Sequence, residues 1–138
     1  MDIRVAILED DFYAREAVAT LLQRDCAIRV VGEYAWPDEL LADLSAGRPR
    51  ANVCWIDLDF PEHPDSGIEC VRHLRKAAPE LRLICSALML QSEYGALWAM
   101  GVSGLVLKRE CGHAVGLAVS LTAEGWRVVS PGARVLFA

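Results

Sequence analysis

The chain has little that would hold a polyanion. Lysine and arginine number 14 against 19 aspartates and glutamates, for a net charge of −5, and no basic cluster is longer than Arg48-Pro49-Arg50. A nucleic-acid surface needs a basic patch or stripe, so none is expected on this chain. No apolar run approaches the ~18 residues that mark a membrane span. Met1-Asp2-Ile3-Arg4 lacks the basic-then-apolar start of a secretory signal. Cys-X-X-Cys pairs are missing too. The five cysteines, at 26, 54, 70, 85 and 111, lie scattered on apolar stretches. That argues against a disulfide framework or a zinc site and fits buried thiols in a reducing cytoplasm. Internal repeats and low-complexity tracts are also lacking.

What is present is apolar surface. Hydrophobic residues make up 54% of 138 positions, enough for a single domain that buries roughly two thirds of its unfolded surface. The most telling stretch is Asn52-Val53-Cys54-Trp55-Ile56-Asp57-Leu58-Asp59-Phe60-Pro61. A short apolar run with β-branched members meets a carboxylate, and turn formers follow at Pro61, Pro64, Asp65, Ser66 and Gly67. This pattern predicts a strand buried on both faces and ending at Asp57. A carboxylate at the end of such a strand is costly unless something pairs with it.

The rest of the chain alternates. Strands are predicted over residues 3–8, 28–33, 52–57, 81–86 and 104–107. Helices are predicted over 12–24, from Pro37 to about Ser45, over 67–77, over about 91–100 and over about 112–124. The first helix places Ala14, Ala17, Val18, Leu21 and Leu22 at helical spacing. The third places Ile68, Val71 and Leu74 inward. Gly47, Pro49, Pro79, Gly101 and Gly125 supply stops. Strand and helix alternating five times predict an α/β fold, a doubly wound parallel sheet of five strands with helices on both faces. Residues 1–125 form the domain, and 126–138 read as an extension or the start of a linker.

The strands of such a sheet end on one edge, where ligands bind. The first strand delivers Glu9, Asp10 and Asp11 there. The third delivers Asp57, the fourth Ser86 and the fifth Lys108. Crowded carboxylates repel, and burial raises their pKa values unless a cation is present. Magnesium suits one or two carboxylates together with waters and a phosphate oxygen. We read Asp57 as a nucleophile that accepts a phosphoryl group. Magnesium, Lys108, and the Ser86 hydroxyl with a backbone N–H cover the three oxygens of that group. An ionised carboxylate needs no general base.

These residues carry a resemblance. Leu8-Glu9-Asp10-Asp11, Asp57-Leu58-Asp59-Phe60-Pro61, Ser86-Ala87 and Gly101-Val102-Ser103-Gly104 through Lys108 resemble the receiver domain of response regulators, the CheY-like phosphoacceptor of two-component signalling. The resemblance spans nearly the whole chain. It implies strand order 2-1-3-4-5 and phosphorylation of Asp57 by a sensor histidine kinase. It also implies magnesium held by Asp10 directly, by Glu9 through water, by Asp57 and by the backbone carbonyl of Asp59. Ser86 and Lys108 then contact the phosphoryl group and relay its presence. The tail, Gly125-Trp126-Arg127-Val128-Val129-Ser130-Pro131, resembles the exit from receivers of the NarL/FixJ type, whose output is transcription through a DNA-binding domain that is not in this chain. Three features depart from the pattern. Leu105 stands where the family usually has an aromatic ring. The loop between Pro61 and Gly67 looks one residue longer than usual. Asp59 adds a carboxylate beside the site.

Blander readings stand beside these. Asp11 reads as the cap of the first helix. His63, His73 and His113 lack ligand spacing, and the cysteines read as core fillers. The apolar stretch Ala87–Leu90 with Ala96–Met100 is either extra core or a docking face for a partner or a second copy, a homodimer. Two other functions compete. One is a pseudo-receiver, an interaction module that works without phosphorylation. The other is a phosphohydrolase, because Asp57-Leu58-Asp59 resembles the nucleophile pair of haloacid-dehalogenase-type enzymes. That family places its nucleophile strand near the start of the fold and its other acidic ligands after the lysine, which this chain does not.

Overall fold

A computed structural model of the chain describes residues 2–59, 66–89 and 91–137, with the backbone alone at Ser66. The strands are β1 (Ile3–Leu8), β2 (Ile28–Tyr34), β3 (Val53–Asp57), β4 (Arg82–Ala87), β5 (Gly104–Leu107) and β6 (Val128–Val129). The helices are α1 (Phe12–Gln23), α2 (Pro37–Ser45), α3 (Ser66–Ala77), α4 (Gly95–Ala99), α5 (Lys108–Cys111) and α6 (Val115–Ala123). Single 3-10 segments cover Ser92–Tyr94, Gly112–Ala114 and Pro131–Phe137.

All neighbouring strands run parallel, in the order β2-β1-β3-β4-β5-β6. The predicted order 2-1-3-4-5 holds. The sixth strand is an addition: Val128 and Val129 pair with Gly104 and Leu105 of β5. Two β-branched residues are too few to show a period in sequence, so they read as tail.

Two cores flank the sheet. On β1 and β3, Leu8 and Ile56 pack with Val71 and Leu74 of α3, while Ile7 and Trp55 pack with Leu22 of α1 and Val119 of α6. All five residues of β3 are buried, as an apolar run covered on both faces requires. Cys54, Cys70 and Cys85 lie in the first core, and all five cysteines are free thiols. Burial pushes the thiols of Cys54, Cys70 and Cys85 above their ordinary range.

Two local expectations shift. On α1 the buried positions are Ala19 and Leu22, whereas Ala17 is exposed. Val18, Leu21 and Leu22 pack into the core as predicted, and Ala19 joins them in place of Ala17. The last helix, expected from about 112, becomes α-helical at Val115 after a 3-10 turn over Gly112–Ala114. A helical turn begins at Lys108 itself, Gly112 breaks it at φ +42°, and α6 starts at Val115. On the apolar α4, Leu97 is buried and Trp98 packs against the chain's own tail, while Ala96 and Ala99 are exposed. Phe137 packs edge-on against Trp98 at 5.1 Å between ring centroids, and the Arg127 guanidinium lies 3.6 Å over the Trp98 ring. Leu88 and Met89 remain exposed. The expected loop insertion, with Phe60 through Asp65 and His63, lies outside the described residues, as does Leu90.

One contact fixes how α3 starts beneath the residue that follows Asp57. A Cβ placed on Gly67 would stand 2.6 Å from the Leu58 carbonyl oxygen and 3.1 Å from the Leu58 Cα. Backbone atoms cannot swing aside. Gly67→Ala is therefore expected to lower stability by about 1–3 kcal/mol, the range for overpacking a tight site. Urea unfolding checks this, and a midpoint equal to that of the parent chain would mean that α3 can shift freely from Leu58.

Candidate functional site

The register of the sheet brings the strand ends together. Leu8 lies beside Ile56, Asp57 beside Ser86, and Ala87 beside Leu107. The next residues on β1 and β5 are Glu9 and Lys108. Their side chains meet at the edge of β3. The Lys108 ammonium stands 2.8 Å from Asp57 Oδ1, 3.1 Å from Glu9 Oε1 and 3.7 Å from Asp59 Oδ2. Glu9, Asp10 and Asp57 each offer a carboxylate oxygen, and the three oxygens lie within 4.8 Å of one another. Glu9 and Asp57 are 3% and 1% exposed, so water does little to separate their charges.

The electrostatics follow from that crowding. Burial, then the neighbouring Glu9, pushes the Asp57 carboxyl up to about 8, against the pull of Lys108 and of the Asp59 N–H. Burial also works to raise Glu9. The hydrogen bond shared with Asp57 and the Lys108 ammonium outweigh it, and Glu9 sits below its ordinary range. Asp10 is raised by burial and by Glu9. Lys108 is raised: burial opposes its charge, but Asp57 and Glu9 prevail. One ammonium thus stands between the buried carboxylates of Glu9 and Asp57, with the Asp10 carboxylate beside them. An oxygen-only donor set with surplus negative charge suits a hard divalent cation.

Each expected site residue has a definite place. Asp57, Glu9, Asp10 and Lys108 converge. Asp11 does not join them. Its Oδ1 accepts the Ala14 N–H at 3.0 Å, which makes it the N-cap of α1. Ser86 is fully buried beside Asp57, and its hydroxyl donates to the Ile56 carbonyl at 3.1 Å. It must turn from that carbonyl to serve any other acceptor. The Asp59 N–H donates to Asp57 Oδ1 at 2.9 Å. The Asp59 carboxylate accepts the Leu88 N–H at 2.7 Å, so it straps the loop after β3 to the loop after β4.

Two participants escaped the sequence reading. Arg15 donates to the Glu9 carbonyl at 2.8 Å and stands 3.9 Å from Glu33. It lies one turn into α1, and only knowing that Asp11 caps this helix would have aimed it back at the strand end. The Leu88 N–H is a main-chain donor, so side-chain chemistry carried no signal for it. His73 and His113 are exposed and stand apart from the acidic group. Among the described residues no helix is long and apolar enough to cross a membrane.

Comparison with known proteins bears on the fold. The DNA-binding transcriptional activator DevR/DosR of Mycobacterium tuberculosis is 30% identical over 125 residues, which cover 89% of this chain and 55% of that protein. The crystal structure of a two-component response regulator of the LuxR family from Aurantimonas superposes with a TM-score of 0.84 at 25% identity, covering 98% of this chain and 94% of that one. The isolated REC domain of RcsB from Salmonella enterica serovar Typhimurium, in the presence of phosphomimetic BeF3−, superposes with a TM-score of 0.86 over 99% of both chains. At 20% identity, that likeness is one of fold. The chain spans 31% to 55% of the length of the first curated relatives it matches. No protein-family model matches it.

Proposed function

We propose, for a chain that is by fold and sequence likeness a response-regulator receiver domain, that Asp57 accepts a phosphoryl group and that the domain switches on it. One observation carries the reading. Asp57 is a buried carboxylate at a strand end, paired at 2.8 Å with Lys108 and gathered with Glu9 and Asp10. A structural carboxylate needs one partner, and this one sits among like charges that raise its pKa. Such perturbed clusters are commonest where chemistry is done.

Glu9, Asp10 and Asp57 would hold magnesium, with the Asp59 carbonyl as a further ligand. When bound, the ion supplies positive charge to the phosphoryl oxygens and favours the ionised carboxylate. The chain's own groups do the rest. Lys108 neutralises a second oxygen of the group, and the Ser86 hydroxyl turns to a third. The Asp59 N–H holds Asp57 Oδ1 in place. In the transfer, an Asp57 carboxylate oxygen forms a bond to phosphorus, and the donor's phosphorus–nitrogen bond breaks. The nitrogen belongs to a histidine of a sensor kinase. The domain then controls an output, which we take to be transcription through a DNA-binding domain, in a cytoplasmic protein that pairs with a second copy.

One observation favours a second reading, the phosphorylation-independent interaction module. The Asp59 carboxylate occupies the Leu88 N–H, and the Ser86 hydroxyl is satisfied within the sheet. Intact mass after incubation with magnesium and a small phosphodonor separates the two. We expect one added phosphoryl group in the parent chain and none in Asp57→Asn. A folded chain that stays unmodified in magnesium would leave the interaction module as the better account.

A further inference from the structure

Lys108 sits between two residues tied to the tail. The N–H of Leu107, one residue before it, donates to Ser130 Oγ at 2.9 Å. Glu110, two residues after it, accepts the Ser130 hydroxyl at 2.7 Å. Both Glu110 carboxylate oxygens also accept the Gly132 N–H, each at 2.9 Å. These donors hold the Glu110 carboxyl below its ordinary range. Gly132 lies close against the ends of the Leu107 and Glu110 side chains. A Cβ on Gly132 would stand 2.6 Å from Leu107 Cδ1 and 2.9 Å from Glu110 Oε1. Beyond the clasp, Ala133 is fully buried in the core that holds Leu105, and Phe137 reaches Trp98 of α4.

Resting on the phosphoacceptor reading, we infer that Glu110 and Ser130 form a clasp that couples Lys108 to the tail segment 130–137, and that drawing Lys108 to a phosphoryl group loosens that segment from α4. The ammonium now lies between Asp57 and Glu9. A phosphoryl group places new negative charge beyond Asp57, and the ammonium recentres on it. The single helical turn of α5 carries Lys108 and Glu110 together, so a shift of one disturbs the other. Charge-assisted hydrogen bonds depend steeply on distance and angle. This route needs no aromatic ring at Leu105.

The test is hydrogen exchange of residues 131–137 in the 138-residue chain, with and without magnesium and beryllofluoride, while fluorine NMR reports beryllofluoride binding. Bound beryllofluoride should speed tail exchange by about tenfold, a local-opening effect. Glu110→Ala should show about that rate without beryllofluoride and gain little more from it. Ser130→Ala removes the same bridge from its other side and serves if Glu110→Ala lowers global stability. Bound beryllofluoride with an unchanged tail overturns the coupling. So does a folded Glu110→Ala chain whose tail exchanges like the parent's. A chain that binds no beryllofluoride overturns the phosphoacceptor reading instead, and the coupling falls with it.

Discussion

Lys108→Met is expected to slow phosphoryl uptake by about 100- to 1,000-fold, the loss typical of removing one preorganised charge from a transfer site. Methionine keeps much of the side-chain volume, so the change isolates the ammonium. In the parent chain that ammonium touches Asp57 and Glu9 at 2.8 and 3.1 Å and is about a quarter exposed. Without it, the buried carboxylates face one another alone. Stability should fall by about 1–3 kcal/mol at pH 8, below the full cost of breaking a buried pair because the lysine is partly solvated. The loss should shrink toward pH 5 as the carboxylates take up protons and need the cation less. Rates from intact mass and urea midpoints at the two pH values check both parts. Parent-like uptake would remove Lys108 from the site. A loss of stability that stayed the same at pH 5 would assign the effect to packing.

The sheet edge was legible because parallel strands obey a simple rule. Apolar runs that end in Glu9, Asp57, Ser86 and Lys108 must deliver those residues to one side, whatever the helices do. Asp11 was legible as a cap for a local reason: its side chain needs only the N–H three residues on. The clasp was not legible. Glu110 and Ser130 are 20 residues apart, and β6, which sets their meeting, is too short to leave a period. The exchange of Ala17 for Ala19 on the inner face of α1 depends on which small residue the sheet will admit, and the two look alike in sequence. The role of the apolar α4 was open for the same reason. Packing against the chain's own tail and docking of a partner demand the same residues; the contacts of Phe137 and Arg127 account for Trp98, while Leu88 and Met89 stay exposed.

That α5 starts at Lys108 itself changes how the site should be understood. A lysine on a loose loop could follow a new charge alone. Here the backbone of Lys108 belongs to a helical turn, and Leu107 before it is bonded to Ser130. The cation that balances Asp57 is thus also a structural joint. A site built this way is poised rather than relaxed: its carboxylates repel, and a single lysine restrains them.

In EDTA, Asp57→Asn is expected to be more stable than the parent chain, and by more as the pH rises. The sign follows from the raised pKa. Asp57 titrates at about 8 in the fold against an ordinary value near 3.8. The folded chain therefore holds a proton that the unfolded chain has released, and its stability falls with rising pH between those values. Glu9 is shifted downward, so its contribution changes only at more acid pH. Lys108 is shifted upward, and its contribution changes only above the lysine range. Asp10 is also shifted upward and works in the same direction, so between pH 5 and 8 the slope belongs to Asp57 together with Asp10. An isolated group would carry about 4 kcal/mol across those three units; shared charge with Glu9 and Lys108 brings the expectation to about 2 kcal/mol. Asparagine has no charge to bury, so its profile should be flatter over the same range, with Asp10 as the remaining raised carboxyl. Magnesium should reverse the comparison. A cation held by ionised carboxylates stabilises the fold by mass action, and the parent chain should gain more from it than Asp57→Asn does. Urea unfolding at pH 5, 6.5 and 8, in EDTA and in magnesium, reads all four limbs. A parent chain whose metal-free stability rises with pH would show that Asp57 is already well paired, and the poised acidic site would have to be abandoned.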